Sequence, residues 1–416
     1  MIIGGITLHV LILSAGKILK KPYGGEDLFS RLLATWLAKF RQKVTLMGIE
    51  YAGLRIKRIS DDNIKHELIA NKTKNYNQTH KFKNSYLFYS LRTVFWISQV
   101  FRIISIAIMN RISLIHAQDS GYTGLAAIVA GKILHVPVMI TLHGIRYDQI
   151  ESNPYVNKVL KWIELKIEHR IDTFTLNNAS IVTIVSPSLK SYVERLAPNS
   201  TVISIPVGVK TKEFEFSEVN KRRVREELGI QNHFKIIGYV GRLAYEKNLS
   251  NLLHSFADAL KQDPFLILVL VGEGALEIEL RKQTRDIHIE ENVVFCGFRG
   301  DVSSILSSFD IFILPSIIEG TSNALLQAMS CGCAIICSDI PGNRELVSNK
   351  KDALLVPPND RAGLKQAILL VLTDMTLRKQ LRYNARMTAL KYDEEIIFPR
   401  YFEYYEKLRA TTNRSK

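Results

Sequence analysis

The residues best placed to do chemistry lie in segment 309–329, where an acidic side chain stands between an apolar run and a helical pattern. Residues 309–315 are typical of a buried strand, Glu319 follows them, and residues 321–329 have the pattern of a helix that begins with small residues. A strand, a short turn and a helix N-terminus direct backbone N–H groups and the positive end of the helix dipole at one point. The segment therefore predicts a diphosphate site with Glu319 beside it, as in nucleotide-sugar chemistry.

Two cations follow a second strand-like run. Gly241 directly succeeds the apolar residues 235–240, and Arg242 and Lys247 stand five residues apart behind it. Arg can hold phosphate oxygens in a planar fork, and Lys acts as a point charge, so the two could clamp a diphosphate leaving group. A solvated loop between a strand and a helix would give the same pattern, and these residues alone favour that simpler interpretation.

A third glycine turn and one amide side chain are candidates for the nucleoside. Glu273 lies in a Gly-Glu-Gly turn after a strand-like run, which suits close approach by a base or a ribose. Gln327 stands eight residues after Glu319 and could hydrogen-bond a ribose. An ordinary residue on a helix surface is the alternative interpretation of Gln327.

The first half of the chain contributes a histidine and a glycine pair. His143 precedes a glycine at the end of a strand-like run, so its ring should point toward a ligand, although a structural histidine is equally compatible with the pattern. Gly24 and Gly25 precede the helical pattern of residues 27–40 and permit a ligand to approach the backbone at the start of that helix.

The elements that position these residues alternate between short apolar runs and helical patterns, which predicts parallel, doubly wound sheets in an α/β protein. At 416 residues the chain is too long for one ordinary core. The alternation is interrupted by a polar stretch at residues 210–227 and then restarts. We therefore predict two Rossmann-like domains that face a central cleft, at residues 1–208 and 209–394, with a C-terminal helix at 395–416 that packs back on the first. The predicted strands are 6–13, 44–49, 114–116, 138–142, 181–185, 202–206, 235–240, 265–271, 292–296, 310–314, 334–337 and 353–356.

The charge of the chain is concentrated in its first half. Residues 1–205 carry a net charge of +13 out of +15 for the whole chain. This asymmetry indicates an anionic partner, either membrane phosphates or nucleic acid. No DNA-recognition helix, aromatic RNA-binding surface or zinc module accompanies the charge, which argues against nucleic acid.

Three further segments bear on location. Residues 86–109 have an arc of polar side chains that includes Arg92, Gln99 and Arg102, which predicts an amphipathic helix that packs on a sheet or rests on a membrane. Residues 71–84 are polar and basic, as in a mobile loop. The apolar N-terminus lacks the features of a secretory signal and reads as a buried strand. Because the four cysteines have neither zinc-site spacing nor a disulfide framework, we expect a reducing cytoplasm.

These motifs, in this order, resemble the family 4 retaining glycosyltransferases, which have the GT-B fold of two Rossmann-like domains. The segment GRLAYEKN, which starts at Gly241, resembles the family's G-R-L-x-x-E-K-N/G motif. The segment that starts with PSIIEGTSNALLQAM at Pro315 resembles its P-S-x-x-E-G…E-A-M motif. VGEGALEIEL and VVFCGF lie between them, and KPYGGED, TLHG, IVSPS and IPVGV are similar to the N-terminal motifs. The resemblance covers nearly the whole chain.

The resemblance implies a role for each candidate position. Arg242 and Lys247 would neutralise the donor diphosphate, and Glu319 would contact the transferred sugar. His143 would lie beside that sugar, and Glu273 near the base. Ligand contacts through the backbone are implied at Gly24, Gly25, Gly241, Ser322, Asn323, Ala324 and Leu325.

Three positions depart from the family pattern. Gln327 stands where the family commonly has a second glutamate that binds the ribose hydroxyls, so we expect altered nucleotide affinity without loss of catalysis. Val207 and Lys210 replace residues that are often Asn and Asp, which leaves the acceptor-side and linker details open.

The resemblance implies transfer of a hexose-type sugar, with retained configuration, from a nucleotide-diphosphate sugar to a glycan or lipid-linked acceptor in cell-surface polysaccharide or glycolipid synthesis. No cofactor or metal is expected, since the cations take the place of a metal ion. A cytoplasmic protein at the inner face of the cell membrane, in peripheral contact with anionic lipid, would fit the charge. The alternatives are a nucleotide-sugar enzyme without an acceptor, such as an epimerase, and an inactive homologue.

Overall fold

A computed structural model describes residues 8–14, 25–40, 42–49, 55–61, 64–70, 85–145, 151 and 158–414. The chain divides into two compact units. The first comprises Met1–Glu151, Tyr155–Gly208 and Glu395–Lys416, and the second comprises Ser152–Pro154 and Val209–Glu394.

The first unit is built on an eight-stranded sheet with the order β3-β4-β2-β1-β5-β6-β7-β8. All neighbouring strands are parallel except β3 and β4, which form an antiparallel pair at one edge. The strands are β1 His9–Ser14, β2 Lys43–Ile49, β3 Arg55–Asp61, β4 Ile64–Ala70, β5 Leu114–Ala117, β6 Val138–Leu142, β7 Ile181–Ile184 and β8 Val202–Ser204. The predicted parallel strands are present, and the antiparallel pair was not predicted because its alternation of apolar and charged residues lacks a continuous apolar run.

Helices cover this sheet and include the C-terminal one. They are α1 Gly25–Lys39, α2 Ser85–Met109, α3 Tyr122–Leu134, α4 Lys158–Asn178, α5 Lys190–Leu196 and, in the last part of the chain, α14 Glu394–Arg414. α14 packs on α1 through aromatic rings, with Phe398 5.8 Å from Phe29 and 6.1 Å from Trp36 between ring centroids. The indole N–H of Trp36 donates to Glu395 over 2.9 Å. These contacts hold the end of the chain on the first unit.

The second unit contains a fully parallel six-stranded sheet with the order β11-β10-β9-β12-β13-β14. Its strands are β9 Lys235–Val240, β10 Leu266–Val271, β11 Val293–Gly297, β12 Ile311–Leu314, β13 Ala334–Ser338 and β14 Leu354–Val356. Its helices are α6 Glu218–Glu227, α7 Leu249–Leu260, α8 Glu277–Asp286, α9 Val302–Ser308, α10 Asn323–Ser330, α11 Pro341–Arg344, α12 Arg361–Thr373 and α13 Met375–Ala389.

Local sequence explains where several of these helices begin. Ser217, Asp360 and Asp374 stand immediately before α6, α12 and α13, and each side chain accepts a hydrogen bond from a backbone N–H in the first turn. Such caps satisfy N–H groups that have no partner within the helix. The inner strands β1, β5, β6, β7, β9, β10, β12 and β13 are buried along nearly their whole length, as both faces of a parallel sheet are covered.

Helix α2 buries one face, as its pattern predicts. Ser98 and Ser105 of the polar arc are exposed, and the buried face packs on α3. Gln99 departs from the prediction because it is only 2% exposed, and the apolar Phe101 and Ile108, 66% and 62% exposed, lie on the open face. Among the described residues, no helix is long and apolar enough to cross a membrane. The predicted loop at residues 71–84 lies outside the described residues.

Candidate active site

The candidate residues of the second unit lie at the carboxyl ends of neighbouring parallel strands. β9 is the first strand of its sheet, and the chain adds β10 and β11 on one side and β12 to β14 on the other. The strand order therefore reverses between β9 and β12, and such a switch point is where ligands bind in open α/β sheets. Arg242 and Lys247 follow β9, and Glu319 and Ser322 follow β12.

Glycines bring the loop after β9 into direct backbone contact with the loop after β10. A Cβ atom on Gly272 would lie 1.9 Å from the carbonyl oxygen of Gly241, and one on Gly274 would lie 2.2 Å from that of Leu243. Gly272 also has a φ of +133°, which L side chains rarely adopt. The N–H of Leu243 donates to the carbonyl of Glu273 over 3.0 Å. The two loops can approach this closely because neither glycine has a side chain.

The loop that carries Glu319 is held on both sides. A Cβ atom on Gly342, in α11, would lie 2.4 Å from the carbonyl oxygen of Glu319 and 2.1 Å from that of Gly320. On the other side, the N–H of Ile317 donates to the carbonyl of Glu246 over 2.8 Å. The backbone around Glu319 is therefore fixed by its neighbours on both sides.

Lys247 and Glu319 form a close ion pair in this arrangement. Lys247 Nζ donates to Glu319 Oε1 over 2.6 Å, and the two side chains are 15% and 10% exposed. The hydroxyl of Ser316 donates to the same oxygen over 2.7 Å. A diphosphate that binds at this point would compete with the carboxylate for the ammonium group. The pair brings together the two charges that the sequence predicts for this site.

Arg242 is more exposed than Lys247, and its backbone carbonyl is hydrogen-bonded to a buried tyrosine. Its guanidinium donates to Glu246 over 2.7 Å, and its side chain is 51% exposed. The buried hydroxyl of Tyr239 donates to the carbonyl of Arg242 over 2.8 Å. Burial and the negative charge of Glu319 raise the pKa of Tyr239, so the hydroxyl remains a donor. Tyr239 thus supports the turn that presents Arg242.

The start of α10 provides the helix terminus that the sequence predicts. Ser322 caps the helix, and its hydroxyl oxygen accepts a hydrogen bond from the N–H of Leu325 over 3.3 Å. Asn323 and Ala324 form the first turn, three to four residues after Gly320. Gln327, one turn further on, is only 8% exposed, so its interpretation as a surface residue is wrong.

The remaining candidates lie elsewhere. Glu273 is exposed in the loop after β10. Gly25 is the first residue of α1, and Gly24 lies outside the described residues. His143 follows β6 in the first unit, and its Nε2 lies 2.9 Å from the Oε1 atom of Gln118. Burial lowers the pKa of His143 to about 3, so its ring is neutral at physiological pH.

Three residues in contact with these candidates were not predicted as functional. Ser316 and Tyr239 lie in strand ends that read as structural, and their hydroxyl contacts depend on tertiary packing. Gln118 follows β5, and the strand order of the first unit reverses between β1 and β5. Gln118 could have been identified as a candidate because it is a polar residue directly after a buried strand. Among the described residues, no cluster of three or more histidine, cysteine or acidic side chains could hold a metal ion.

Two family models match the chain. The model described as Glycosyltransferase Family 4 matches residues 24–213, and the model described as Glycosyl transferases group 1 matches residues 220–388. Between them, the two models match most of the chain.

Curated relatives have related descriptions. The chain is 28% identical to the UDP-Gal:alpha-D-GlcNAc-diphosphoundecaprenol alpha-1,3-galactosyltransferase of Escherichia coli, over 64% of this chain and 68% of that protein. It is also 28% identical to the alpha-monoglucosyldiacylglycerol synthase of Streptococcus pneumoniae, over 65% of this chain and 62% of that protein. The match thus spans less than two thirds of the second relative.

Solved structures share the fold over nearly the whole chain. Sucrose-phosphate synthase from Thermosynechococcus elongatus superposes with a TM-score of 0.80 at 20% identity, over 97% of this chain and 100% of that one. Anabaena HepE, crystallised with UDP-glucose, gives a TM-score of 0.73 at 18% identity, over 96% and 100%. The solved structures show that the chain has the GT-B fold, and the two family models show that it belongs to the family 4 glycosyltransferases.

Proposed function

We propose that this protein is a retaining glycosyltransferase that moves a hexose-type sugar from a nucleotide-diphosphate donor to a glycan or lipid-linked acceptor. The acceptor belongs to cell-surface polysaccharide or glycolipid synthesis, and the reaction takes place at the inner face of the cell membrane. The names of the relatives support this class, since one acts on a diphosphoundecaprenol-linked sugar and another makes a glucosyldiacylglycerol.

The observation that carries the proposal is the ion pair of Lys247 and Glu319 at the switch point of the second unit. It places an ammonium group and a carboxylate 2.6 Å apart, in the loops that flank the start of α10. A donor sugar diphosphate needs a cation on its phosphates and a polar acceptor group on its sugar hydroxyls. Both are present at one edge of the sheet, together with the helix N-terminus.

In the proposed reaction, the bond between the sugar C1 atom and the diphosphate oxygen breaks as the acceptor oxygen bonds to C1 on the same face. The acceptor hydroxyl gives its proton to the departing phosphate oxygen. Negative charge grows on the diphosphate during this step, and Arg242, Lys247 and the N–H groups at the start of α10 stabilise it. Glu319, released from Lys247 by the phosphates, accepts hydrogen bonds from the sugar hydroxyls and offsets the positive charge on the ring.

The nucleoside lies beside the loop after β10 in this proposal. Glu273 is exposed there, and Gln327 offers an amide that can both donate to and accept from ribose hydroxyls. The reaction requires no metal ion, because the protein's own cations neutralise the leaving group. Activity that persists in EDTA is therefore expected.

The acceptor side is assigned to an anionic membrane surface because apolar and basic side chains are exposed together on the first unit. In α2, Phe101 is 66% exposed; in α4, Trp162 is 57% exposed, and the ammonium of Lys166 lies 3.8 Å from the centroid of its ring. α2 and α4 both pack on α3. Tryptophan and lysine side by side suit the interface between lipid headgroups and acyl chains.

Sedimentation with liposomes tests this membrane contact. Vesicles that contain anionic lipid should carry the protein down at low salt, and the double variant Phe101→Ser with Trp162→Ser should remain in the supernatant. Tyr383→Ser in α13 is the matched control, since Tyr383 is 67% exposed in the second unit. Equal sedimentation of the double variant and the wild type would remove this surface from the proposal.

The transfer reaction is tested with a panel of UDP-, GDP- and ADP-hexoses, each supplied with and without lipid-linked and glycan acceptors. One donor should protect the fold against heat by mass action. With an acceptor, that donor should yield a nucleoside diphosphate and a glycoside of the same anomeric configuration. Isomerised free sugar without an acceptor would indicate the epimerase alternative, and the absence of turnover with every donor would indicate an inactive homologue.

A further inference from the structure

A chain of buried polar groups in the first unit leads from α14 into its sheet. His116 in β5 has no exposed surface, and its Nδ1 atom lies 2.6 Å from the hydroxyl of Tyr405 in α14. Its Nε2 atom lies 2.6 Å from the hydroxyl of Thr141 in β6. That hydroxyl is 2.5 Å from the hydroxyl of Thr183 in β7, which donates to the carbonyl of Ile140 over 3.3 Å.

The hydroxyl of Tyr405 determines which group donates and which accepts in each hydrogen bond of this series. Tyr405 is fully buried, and among the described residues the partner of its hydroxyl is His116 Nδ1. A buried hydroxyl hydrogen without an acceptor is unfavourable, so Tyr405 donates to Nδ1. Burial lowers the pKa of His116 to about 3, and a neutral ring that accepts at Nδ1 carries its proton on Nε2. Every donor from Tyr405 to Thr183 then has an acceptor. If the hydrogen bonds ran the other way, with His116 Nδ1–H donating to Tyr405, the hydroxyl hydrogen of Tyr405 would have no acceptor.

Gln118 links this chain to His143. Its amide nitrogen lies 3.2 Å from His116 Nε2, and its amide oxygen lies 2.9 Å from His143 Nε2. With the proton of His116 on Nε2, two N–H donors would face each other at the first contact. A half-turn of the amide keeps the packing and removes this conflict. The amide oxygen then shares the His116 Nε2–H with Thr141, which is the nearer acceptor at 2.6 Å, and the NH₂ group donates to His143 Nε2.

We propose that Gln118 is a positioning residue that holds His143 in the neutral tautomer with its proton on Nδ1. Tyr405 fixes the direction of the hydrogen bonds, and Gln118 passes it to His143. The Nδ1–H group has no hydrogen-bond partner among the described residues and follows the carboxyl end of β6. It is a donor for an oxygen of a ligand bound at this edge of the first unit's sheet; this last consequence rests on the proposed function, while the tautomer does not.

The tautomer is measured by two-bond ¹H–¹⁵N correlation spectra of the full chain labelled with ¹⁵N-histidine. His143→Asn and His116→Asn assign the two rings. The expected result is a proton on Nδ1 of His143 and on Nε2 of His116 at neutral pH. A proton on Nε2 of His143 in the wild type would overturn the proposal.

Gln118→Glu tests whether Gln118 sets the tautomer of His143, because a carboxylate can accept hydrogen bonds but cannot donate one to Nε2. His143 should then carry a proton on Nε2, and kcat should fall with little change in KM. Gln118→Met, which neither donates nor accepts, should leave a mixture of tautomers and provides the test if the glutamate variant does not fold. The exposed Gln262→Glu is the matched control and should leave both rings unchanged. An unaltered His143 in both Gln118 variants would refute the role of Gln118, whereas a wild type inactive with every nucleotide sugar would refute only the proposed function.

Discussion

Replacing Lys247 with methionine should separate the catalytic role of the ion pair from its contribution to stability. Lys247 Nζ and Glu319 Oε1 are 2.6 Å apart, and both side chains are largely buried. The variant loses one cation from the leaving diphosphate, and removal of one such electrostatic contact typically raises the barrier by about 2.7–4 kcal/mol. Turnover should therefore fall by about 10²–10³-fold.

The same substitution leaves the Glu319 carboxylate without its cation. Ser316 still donates to it over 2.7 Å, so the group keeps one hydrogen bond. A buried group that loses a partner costs about 1–3 kcal/mol, which should lower the free energy of unfolding by that amount. Adding Glu319→Gln removes the unpaired charge and should restore most of the stability, while turnover remains low.

Nucleoside diphosphate release measures turnover, and urea unfolding measures stability. Lys261→Met is the matched control, because Lys261 is 73% exposed and pairs with Asp258 at the other end of α7. It should change neither quantity. Near-normal turnover in Lys247→Met, or turnover that recovers with stability in the double variant, would refute the proposed role of the lysine.

Three further predictions concern the fold around the two sites. Gly272→Ala should lower the free energy of unfolding in urea by about 1–3 kcal/mol, because the added Cβ atom meets the carbonyl oxygen of Gly241. Gly229→Ala is the control: Gly229 has a φ of +67° and open space around it, so the substitution should cost only backbone strain of about 1–2 kcal/mol. Ser322→Ala should lower the unfolding free energy by about 1 kcal/mol through loss of the α10 cap, and equal stability would contradict the cap. His116 has a folded pKa of about 3 against an ordinary value of 6.5, so only the unfolded state gains its proton between these values, and His116 should lower stability by about 1.4 kcal/mol per pH unit from pH 6.5 down to about pH 3. His143, whose folded pKa is also about 3, should contribute a similar slope. His116→Asn should therefore lose its own part of the slope and keep that of His143, and a pH profile identical to that of the wild type would contradict the assignment.

The sequence predicts the second unit more fully than the first because its strands are continuous apolar runs. The predicted strand 235–240 matches β9, four others in this unit differ by one residue at one end, and 292–296 is shifted by one residue from β11. In the first unit, β3 and β4 were missed, since alternation of charged and apolar residues in a two-stranded edge resembles a polar loop. In α2 only Gln99 was misplaced, because packing on α3 buries this amide although its position belongs to the polar arc.

The charged residues of the site were identifiable, but their contacts were not. Glycine turns after β9 and β12 mark Arg242 and Glu319 as candidates, since parallel strands end at one edge of a sheet. The pairing of Lys247 with Glu319 joins residues 72 positions apart and depends on the strand order. Likewise, Gln118, the hydrogen-bond partner of His143, follows β5, and it can be connected to Tyr405 only once α14 is known to pack on the first unit.

The central claim, that the second unit binds a nucleoside diphosphate with its own cations, is tested most directly by isothermal titration calorimetry in EDTA. UDP, GDP and ADP are titrated into the wild type, Arg242→Ala and the control Lys261→Met. At least one nucleotide should bind the wild type and the control equally and bind Arg242→Ala about tenfold more weakly or worse, since a charge-assisted hydrogen bond contributes about 1.5–3 kcal/mol. Failure of all three nucleotides to bind the wild type, or equal affinity in Arg242→Ala, would contradict the claim.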